Sequence, residues 1–201
     1  MLYGAMDAMV LGDPSDFSTD VGPLIDAAAQ TKVTGYIDAA RADGRLLKQL
    51  NAPSTGYFVG PAVIKVSSIK DMREEIFGPV LHIATFGAED VDAVINAVNA
   101  TGYGLTFGLH SRIDDRVQHI IDRVNCGNIY VNRNQIGAIV GSQPFGGHGM
   151  SGTGPKAGGQ RYLARFESNG HDRQSPIERP AQLHGRTGES NTYVSRTKHY
   201  V

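Results

Sequence analysis

The chain has 201 residues, of which 40% are hydrophobic, so it is long enough to bury the core of one domain. Nineteen Lys and Arg residues against 20 Asp and Glu residues give a net charge of −1, which argues against electrostatic capture of nucleic acid or of an anionic membrane. A single Cys excludes an intramolecular disulfide framework, and no apolar run approaches the roughly 20 residues that cross a bilayer. We therefore expect a soluble, cytoplasmic protein with no membrane span and no nucleic-acid partner.

The first part of the chain predicts one helix followed by three strands. Apolar residues recur at helical spacing over 20–44, with Asp20 as the expected N-cap, Pro23 in the first turn and Gly44 at the end. Short strands are predicted over 57–59 and 62–66, on either side of a Gly-Pro break. The run 80–86 is nearly all apolar, which is typical of a strand covered on both faces.

The second part predicts a helix over 89–100, a strand over 105–109, a helix over 114–124 and a strand over 127–132. Alternating strands and helices of this length favour an α/β fold with a layered, mostly parallel sheet and crossover helices. Residues 133–159 are Gly-rich and lack periodicity, yet an apolar helical pattern resumes directly after them. We therefore expect an ordered, functional loop there.

The last 34 residues, 168–201, differ from the rest in composition. They hold five Lys or Arg against three Asp or Glu and only seven hydrophobic residues. So few apolar groups do not offset the entropy of ordering a segment of this length. The sequence thus predicts one domain over 1–167 and a polar C-terminal arm over 168–201, extended or disordered or used in oligomerisation.

Several candidate sites are rejected on physical grounds. Residues 147–152 fit the dinucleotide pattern G-x-G-x-x-G, but no strand directly precedes them and Pro155 follows, so the pyrophosphate loop is not predicted. Cys126 lies between a helix and an apolar strand, and we expect a small buried hydrophobe there rather than a nucleophile. The seven histidines are scattered, so we expect no protein-built metal site.

The segment 74–80, EEIFGPV, is more informative. Two carboxylates, an aromatic ring and a Gly-Pro break lead directly into a predicted strand. This places a carboxylate and a ring at the edge of a sheet, where α/β proteins bind ligands. The residue pattern alone leaves open a ligand site or a solvated turn.

The same segment resembles the E-E-I-F-G-P-V signature of the aldehyde dehydrogenase superfamily. Residues 12–14 (GDP) and 19–25 (TDVGPLI), then 127–132 (GNIYVN) and 144–152 (PFGGHGMSG), are similar to further motifs of that family in the same order. The resemblance covers residues 9–167. The loop 136–147 (IGAIVGSQPFGG) is similar to the substrate loop of the L-glutamate-γ-semialdehyde (pyrroline-5-carboxylate) dehydrogenases, including the bifunctional proline utilisation A proteins.

The resemblance implies a role for five residues. Glu75 would accept hydrogen bonds from the nicotinamide-ribose hydroxyls of NAD, and Phe77 would pack beside the nicotinamide. The backbone N–H groups of Gly137 and Ala138 would hold the α-carboxylate of the substrate, and Phe145 would contact its methylenes. Ordinary loop residues remain the alternative for Gly137 and Ala138.

The resemblance also sets the expected function, NAD-dependent oxidation of glutamate semialdehyde to glutamate in proline catabolism. In that family a Cys thiolate attacks the aldehyde, hydride passes to NAD and a Glu-activated water cleaves the thioester. Those two residues and the cofactor domain precede the motifs present here, and Cys126 does not match the nucleophile. We expect a C-terminal portion of the enzyme with an incomplete catalytic domain, no catalytic residue of its own and no activity alone. The alternatives are a non-catalytic assembly fragment, for which the family implies a homo-oligomer, or half of a split enzyme completed in trans.

Overall fold

The structure is a computed structural model that describes residues 1–135, 143–152, 156–159 and 162, together with the backbone of a strand at 193–196. It divides into two compact units, Met1–Phe86 and Gly87–Val201. The predicted domain boundary between residues 167 and 168 lies outside the described residues. Within the described part of the chain, no helix is both long and apolar enough to cross a membrane.

The first unit contains two helices and a three-stranded sheet. Its helices are α1 (Leu2–Asp7) and α2 (Ala27–Ala42), and its strands are β1 (Leu46–Gln49), β2 (Ala62–Lys65) and β3 (Val80–Ile83). β1 pairs with β2 antiparallel, and β2 pairs with β3 parallel. Helix α2 covers one face of this sheet, and the core between them is a cluster of buried apolar residues: Val33, Ile37, Ala40, Val59, Ala62 and Ile64.

Helix α2 begins later than the sequence predicts, and its N-cap is Asp26 instead of Asp20. The Asp26 side chain accepts a hydrogen bond of 2.7 Å from the Ala29 amide. Asp20 accepts from the Val10 amide at 2.9 Å, and Val21 pairs with Leu11. Because these contacts with the N-terminal segment keep residues 20–21 extended, the helix cannot begin there.

One strand prediction in this unit is wrong, and another is too long. Residues 57–59 form no strand, because the carbonyls of Tyr57 and Phe58 accept instead from the Leu24 amide and the Gln30 side chain. The expected strand 80–86 is shorter, and it is not covered on both faces since Leu81 is 47% exposed. Among the described strands, β3 pairs with β2 alone. β1 was not predicted.

The second unit contains two helices and five strands within its described part. The helices are α3 (Val91–Asn99) and α4 (Asp114–Ile121), and the strands are β4 (Tyr103–Gly104), β5 (Thr106–Leu109), β6 (Asn128–Val131), β7 (His148–Gly149) and β8 (Tyr193–Arg196). β6 lies between β5 and β8 with both pairs parallel, and β4 pairs with β7 antiparallel. The core packs α3 and α4 against β6 through buried apolar residues, including Ile95, Val117, Ile121 and Ile129.

The predicted α/β fold is confirmed, and seven elements each lie within a predicted helix or strand: α2, α3, α4, β2, β3, β5 and β6. One layered, mostly parallel sheet stays a prediction, because each unit has its own three-stranded sheet. β8 lies within the segment predicted as a C-terminal arm, and the other residues of that segment are outside the described part of the chain.

Candidate functional site

The segment that leads into β3 is held against helix α2. Ile76 packs against the core of the first unit. A Cβ atom built on Gly78 would lie 2.8 Å from a methyl carbon of Val33, so only glycine allows this approach of the backbone to the helix. The Pro79 carbonyl accepts from the Ala62 amide at 2.9 Å, which ties the end of the segment to β2.

Glu75 and Phe77 flank the inward-facing Ile76, and both are exposed, Phe77 to 79%. The neighbouring Glu74 forms an ion pair of 2.7 Å with Lys32 of helix α2. Among the described residues the Glu75 carboxylate has no hydrogen-bond or ion-pair partner. The segment therefore presents a carboxylate that can accept two hydrogen bonds beside an aromatic ring that can pack on a flat group.

Phe145 belongs to the second unit, where it is half-buried. Its backbone forms both hydrogen bonds of an antiparallel bridge with Ala157, at 3.0 and 2.9 Å. On either side of it, the Pro144 carbonyl accepts from the Asn128 side chain at 2.9 Å, and the Gly146 amide donates to the same side chain at 3.3 Å. The backbone of Phe145 is thus held on both sides.

Asn128 and Lys156 are parts of this arrangement that sequence reasoning missed. Asn128 is fully buried, and Lys156 is only 7% exposed. The Lys156 ammonium donates to the Gly127 carbonyl and, at 3.3 Å, to Asn128 Oδ1. Burial lowers the pKa of Lys156 from 10.5 to about 8. A polar Asn inside an apolar strand is a signal that could have identified Asn128; we find no comparable signal for Lys156.

The loop with the other two predicted substrate contacts begins at the end of β6. Asn132 has a positive φ of 56°, and its side chain both accepts from the Ser111 amide and donates to the Ser111 carbonyl, each at 2.9 Å. These bonds fix the direction in which the chain leaves the strand. Gly137 and Ala138 themselves lie outside the described residues.

The five predicted site residues are therefore distributed over three parts of the chain. Glu75 and Phe77 are brought together on one exposed segment of the first unit, and Phe145 lies in the second unit. Gly137 and Ala138 belong to residues 136–142, which the structure does not describe. The assigned roles of all five stay predictions.

Two of the candidate sites rejected from the sequence lie in the described part of the chain. Cys126 is 3% exposed and lies in the core of the second unit, where burial raises the pKa of its thiol. The pattern at 147–152 contains β7 and forms a tight turn, in which a Cβ atom on Gly152 would lie 2.3 Å from the Gly147 carbonyl oxygen. Its glycines serve this close backbone packing.

An open hollow of about 490 Å³ lies in the first unit. It is lined by residues of mixed charge: Tyr36, Arg45, Lys70, Asp71, Arg73 and Glu74. The Tyr36 hydroxyl hydrogen-bonds His82 at 2.7 Å, and burial lowers the pKa of that imidazole. Glu75 and Phe77, the predicted site residues of this unit, are not among those that line the hollow. In the described ranges, no group of three or more His, Cys, Asp or Glu side chains is placed to hold a metal ion.

The chain is similar in sequence to known proteins. The sequence model of the aldehyde dehydrogenase family matches residues 1–169. The bifunctional protein PutA of Rhizobium meliloti is 49% identical over 156 residues, which are 76% of this chain and 13% of that protein. The chain therefore spans about an eighth of the length of this relative.

Two solved structures are similar to the present one. Proline utilization A (PutA) from Bradyrhizobium japonicum superposes with a TM-score of 0.78 and 52% identity, over 81% of this chain and 17% of that one. A 1-pyrroline-5-carboxylate dehydrogenase from Thermus with bound NAD gives a TM-score of 0.73 and 34% identity, over 82% of this chain and 32% of that one. At these identities the two proteins resemble this chain in sequence as well as in backbone fold.

Proposed function

Because the chain belongs to the aldehyde dehydrogenase family, we propose that it is the C-terminal portion of an NAD-dependent dehydrogenase that oxidises L-glutamate-γ-semialdehyde to glutamate in proline catabolism. The names of its relatives, PutA and 1-pyrroline-5-carboxylate dehydrogenase, support this substrate class. The observation that carries the proposal is the exposed pair of Glu75 and Phe77, held on helix α2 within a chain of this family. We place the protein in the cytoplasm.

NAD is the proposed cofactor, and the residues of the first unit fit it. The Glu75 carboxylate, with no partner in the described part of the chain, would accept hydrogen bonds from the two adjacent ribose hydroxyls. Phe77 would pack its exposed ring beside the nicotinamide and limit where that ring can lie. When bound, NAD supplies the acceptor for the hydride that leaves the substrate.

The substrate would be held by the second unit and its loop. We assign the α-carboxylate to the backbone N–H groups of Gly137 and Ala138, since small residues let an anion approach the backbone closely. Phe145 would pack against the methylenes that separate the carboxylate from the aldehyde. Its backbone bridge to Ala157 supports a fixed position for the backbone that carries that ring.

The 201-residue chain would not catalyse this reaction alone. The reaction needs a thiolate nucleophile, and Cys126 is buried in an apolar core with a raised pKa, so it stays a thiol without access to substrate. The nucleophile and the base that activates water would come from residues of the dehydrogenase that this chain does not contain, supplied in one longer chain or in trans.

A complementation assay tests the proposal. The purified chain, mixed with NAD and glutamate semialdehyde, should form no NADH. Addition of a chain supplying the preceding part of a pyrroline-5-carboxylate dehydrogenase should restore NADH formation. Turnover by the 201-residue chain alone that Cys126→Ala abolishes would refute the assignment of the nucleophile, and failure of every complemented mixture would count against the function.

The cofactor role of Glu75 has a matched control in the same segment. In the completed enzyme, Glu75→Gln should raise the KM for NAD about tenfold, because a charge-assisted hydrogen bond is lost. Glu74→Gln should leave it unchanged, since that carboxylate is already paired with Lys32. Equal effects of the two substitutions would contradict the role of Glu75.

A non-catalytic assembly role is the second candidate, and exposed apolar side chains in the first unit favour it. Phe17 is fully exposed and Ile25 is 90% exposed. Side chains of this kind mark interaction surfaces when they cluster. Size-exclusion chromatography with light scattering separates the two candidates: a homo-oligomer that does not complement supports assembly, and a monomer argues against it.

A further inference from the structure

Lys156 is buried, and within the described part of the chain the hydrogen-bond acceptors of its ammonium are uncharged. Its ammonium donates to the Gly127 carbonyl and to Asn128 Oδ1, and its electrostatic neighbours are the Cys126 thiol and the His148 imidazole. Burial of an ammonium without a carboxylate is costly. A methionine would fill a similar volume without that cost, so what lysine adds here is its N–H donors.

The N–H donors of Lys156 bond to the Asn128 side chain, which holds the backbone on both sides of Phe145. Asn128 accepts from Lys156 and from the Gly146 amide with one oxygen, and it donates to the Pro144 carbonyl with its nitrogen. The side chain of Lys156 therefore orients the amide that holds both neighbours of Phe145.

The backbone at Lys156 and Ala157 also contacts the segment that contains Phe145. Its next residue, Ala157, forms the bridge to Phe145. A Cβ atom on Gly146 would lie 3.2 Å from Lys156 Cα, and one on Gly127 would lie 1.9 Å from the Gly146 carbonyl oxygen. With so little free space between these backbones, a displacement of Lys156 passes directly to residues 144–146.

We propose that Lys156 is a positioning residue for substrate binding: by joining the Gly127 carbonyl to the Asn128 side chain, it fixes the backbone of Phe145. This inference rests on the proposed function, which assigns Phe145 to the substrate. Lys156 touches neither substrate nor cofactor in this role. It acts through Asn128 and Ala157, so its loss should loosen one short segment and leave the core of the second unit in place.

Hydrogen exchange in the 201-residue chain tests the positioning. Lys156→Met should speed exchange of the Phe145 and Ala157 amides at least about tenfold, while amides of β5 keep their rates. Lys156→Arg keeps charged donors and should restore slow exchange. Lys70→Met, which removes an exposed lysine in the first unit, is the matched control. Unchanged exchange at both amides, or an equal increase throughout the second unit, would overturn the proposal.

A replacement variant and a kinetic assay keep the proposal falsifiable. If Lys156→Met does not fold, Lys156→Leu replaces it, because this shorter apolar side chain also lacks N–H donors. In the complemented enzyme, Lys156→Met should raise the KM for the aldehyde about tenfold with kcat within about twofold and the KM for NAD unchanged. A loss confined to kcat would contradict a positioning role. If the wild-type mixture is inactive, the proposed function fails and hydrogen exchange still decides on Lys156.

Discussion

The pH dependence of stability follows from the burial of Lys156. Its pKa is about 8 in the folded chain and 10.5 when solvated, so between these values the unfolded chain binds more protons than the folded one. Stability therefore rises with pH across this range. Below pH 8 the folded chain carries the full cost of a buried ammonium. Above pH 10.5 neither state is charged and the cost disappears.

The size of this effect follows from the pKa difference. At about 1.4 kcal/mol per pKa unit, the difference between 10.5 and about 8 corresponds to about 3–4 kcal/mol in the free energy of unfolding. Other groups titrate in the same range, so the quantity to measure is the difference between the wild type and Lys156→Met. This difference should shift by about 3 kcal/mol in favour of the wild type between pH 7 and pH 11.

Urea unfolding followed by far-ultraviolet circular dichroism at pH 7, 8, 9, 10 and 11 measures this difference. Lys70→Met is the control, because it removes an exposed lysine in the first unit. A difference between wild type and Lys156→Met that is constant with pH would show that the ammonium is solvated. The reasoning about its burial would then be wrong.

Three other perturbations test the packing around the candidate site. Gly78→Ala should destabilise the first unit by about 1–2 kcal/mol in urea unfolding, because the new methyl group meets Val33, whereas Gly4→Ala, with no atom within 4 Å, should not; equal effects would contradict this packing. Asn128→Ala should cost about 2–3 kcal/mol, since it removes bonds to the backbone on both sides of Phe145, and a loss below about 0.5 kcal/mol would show that those bonds are replaced. Cys126 should react with a maleimide slowly in the native chain and quickly in urea, because its thiol is buried; fast native labelling would contradict that burial.

The local pattern of apolar residues was sufficient to predict the helices and strands that pack on a core formed by nearby parts of the sequence. The stripes of α3 and α4 and the apolar runs of β2, β5 and β6 were predicted correctly in type. Predicted elements were wrong in position or type where residues distant in sequence form hydrogen bonds with the segment. Asp20 does not cap the helix, because its carboxylate accepts a hydrogen bond from the Val10 amide. Residues 57–59 form no strand, because their carbonyls accept hydrogen bonds from the Leu24 amide and the Gln30 side chain.

Part of the candidate site could likewise be predicted from the chain alone. The motif at 74–80 and its family resemblance identified Glu75 and Phe77, and the structure shows them exposed on a segment fixed by Gly78. The core position of Cys126 also followed from its apolar flanks. These features depend on neighbours in sequence, which is why sequence reasoning reached them.

Only the tertiary structure identified Asn128 and Lys156 as partners, since 28 residues separate them. A buried polar group must find hydrogen bonds, but which group provides them depends on which backbones pack together. The charge state of Lys156 has the same origin, because its lowered pKa comes from burial by segments that meet only in the folded chain. Amino-acid order thus determined the types of the elements and the family motifs, and long-range packing decided which polar groups support the site.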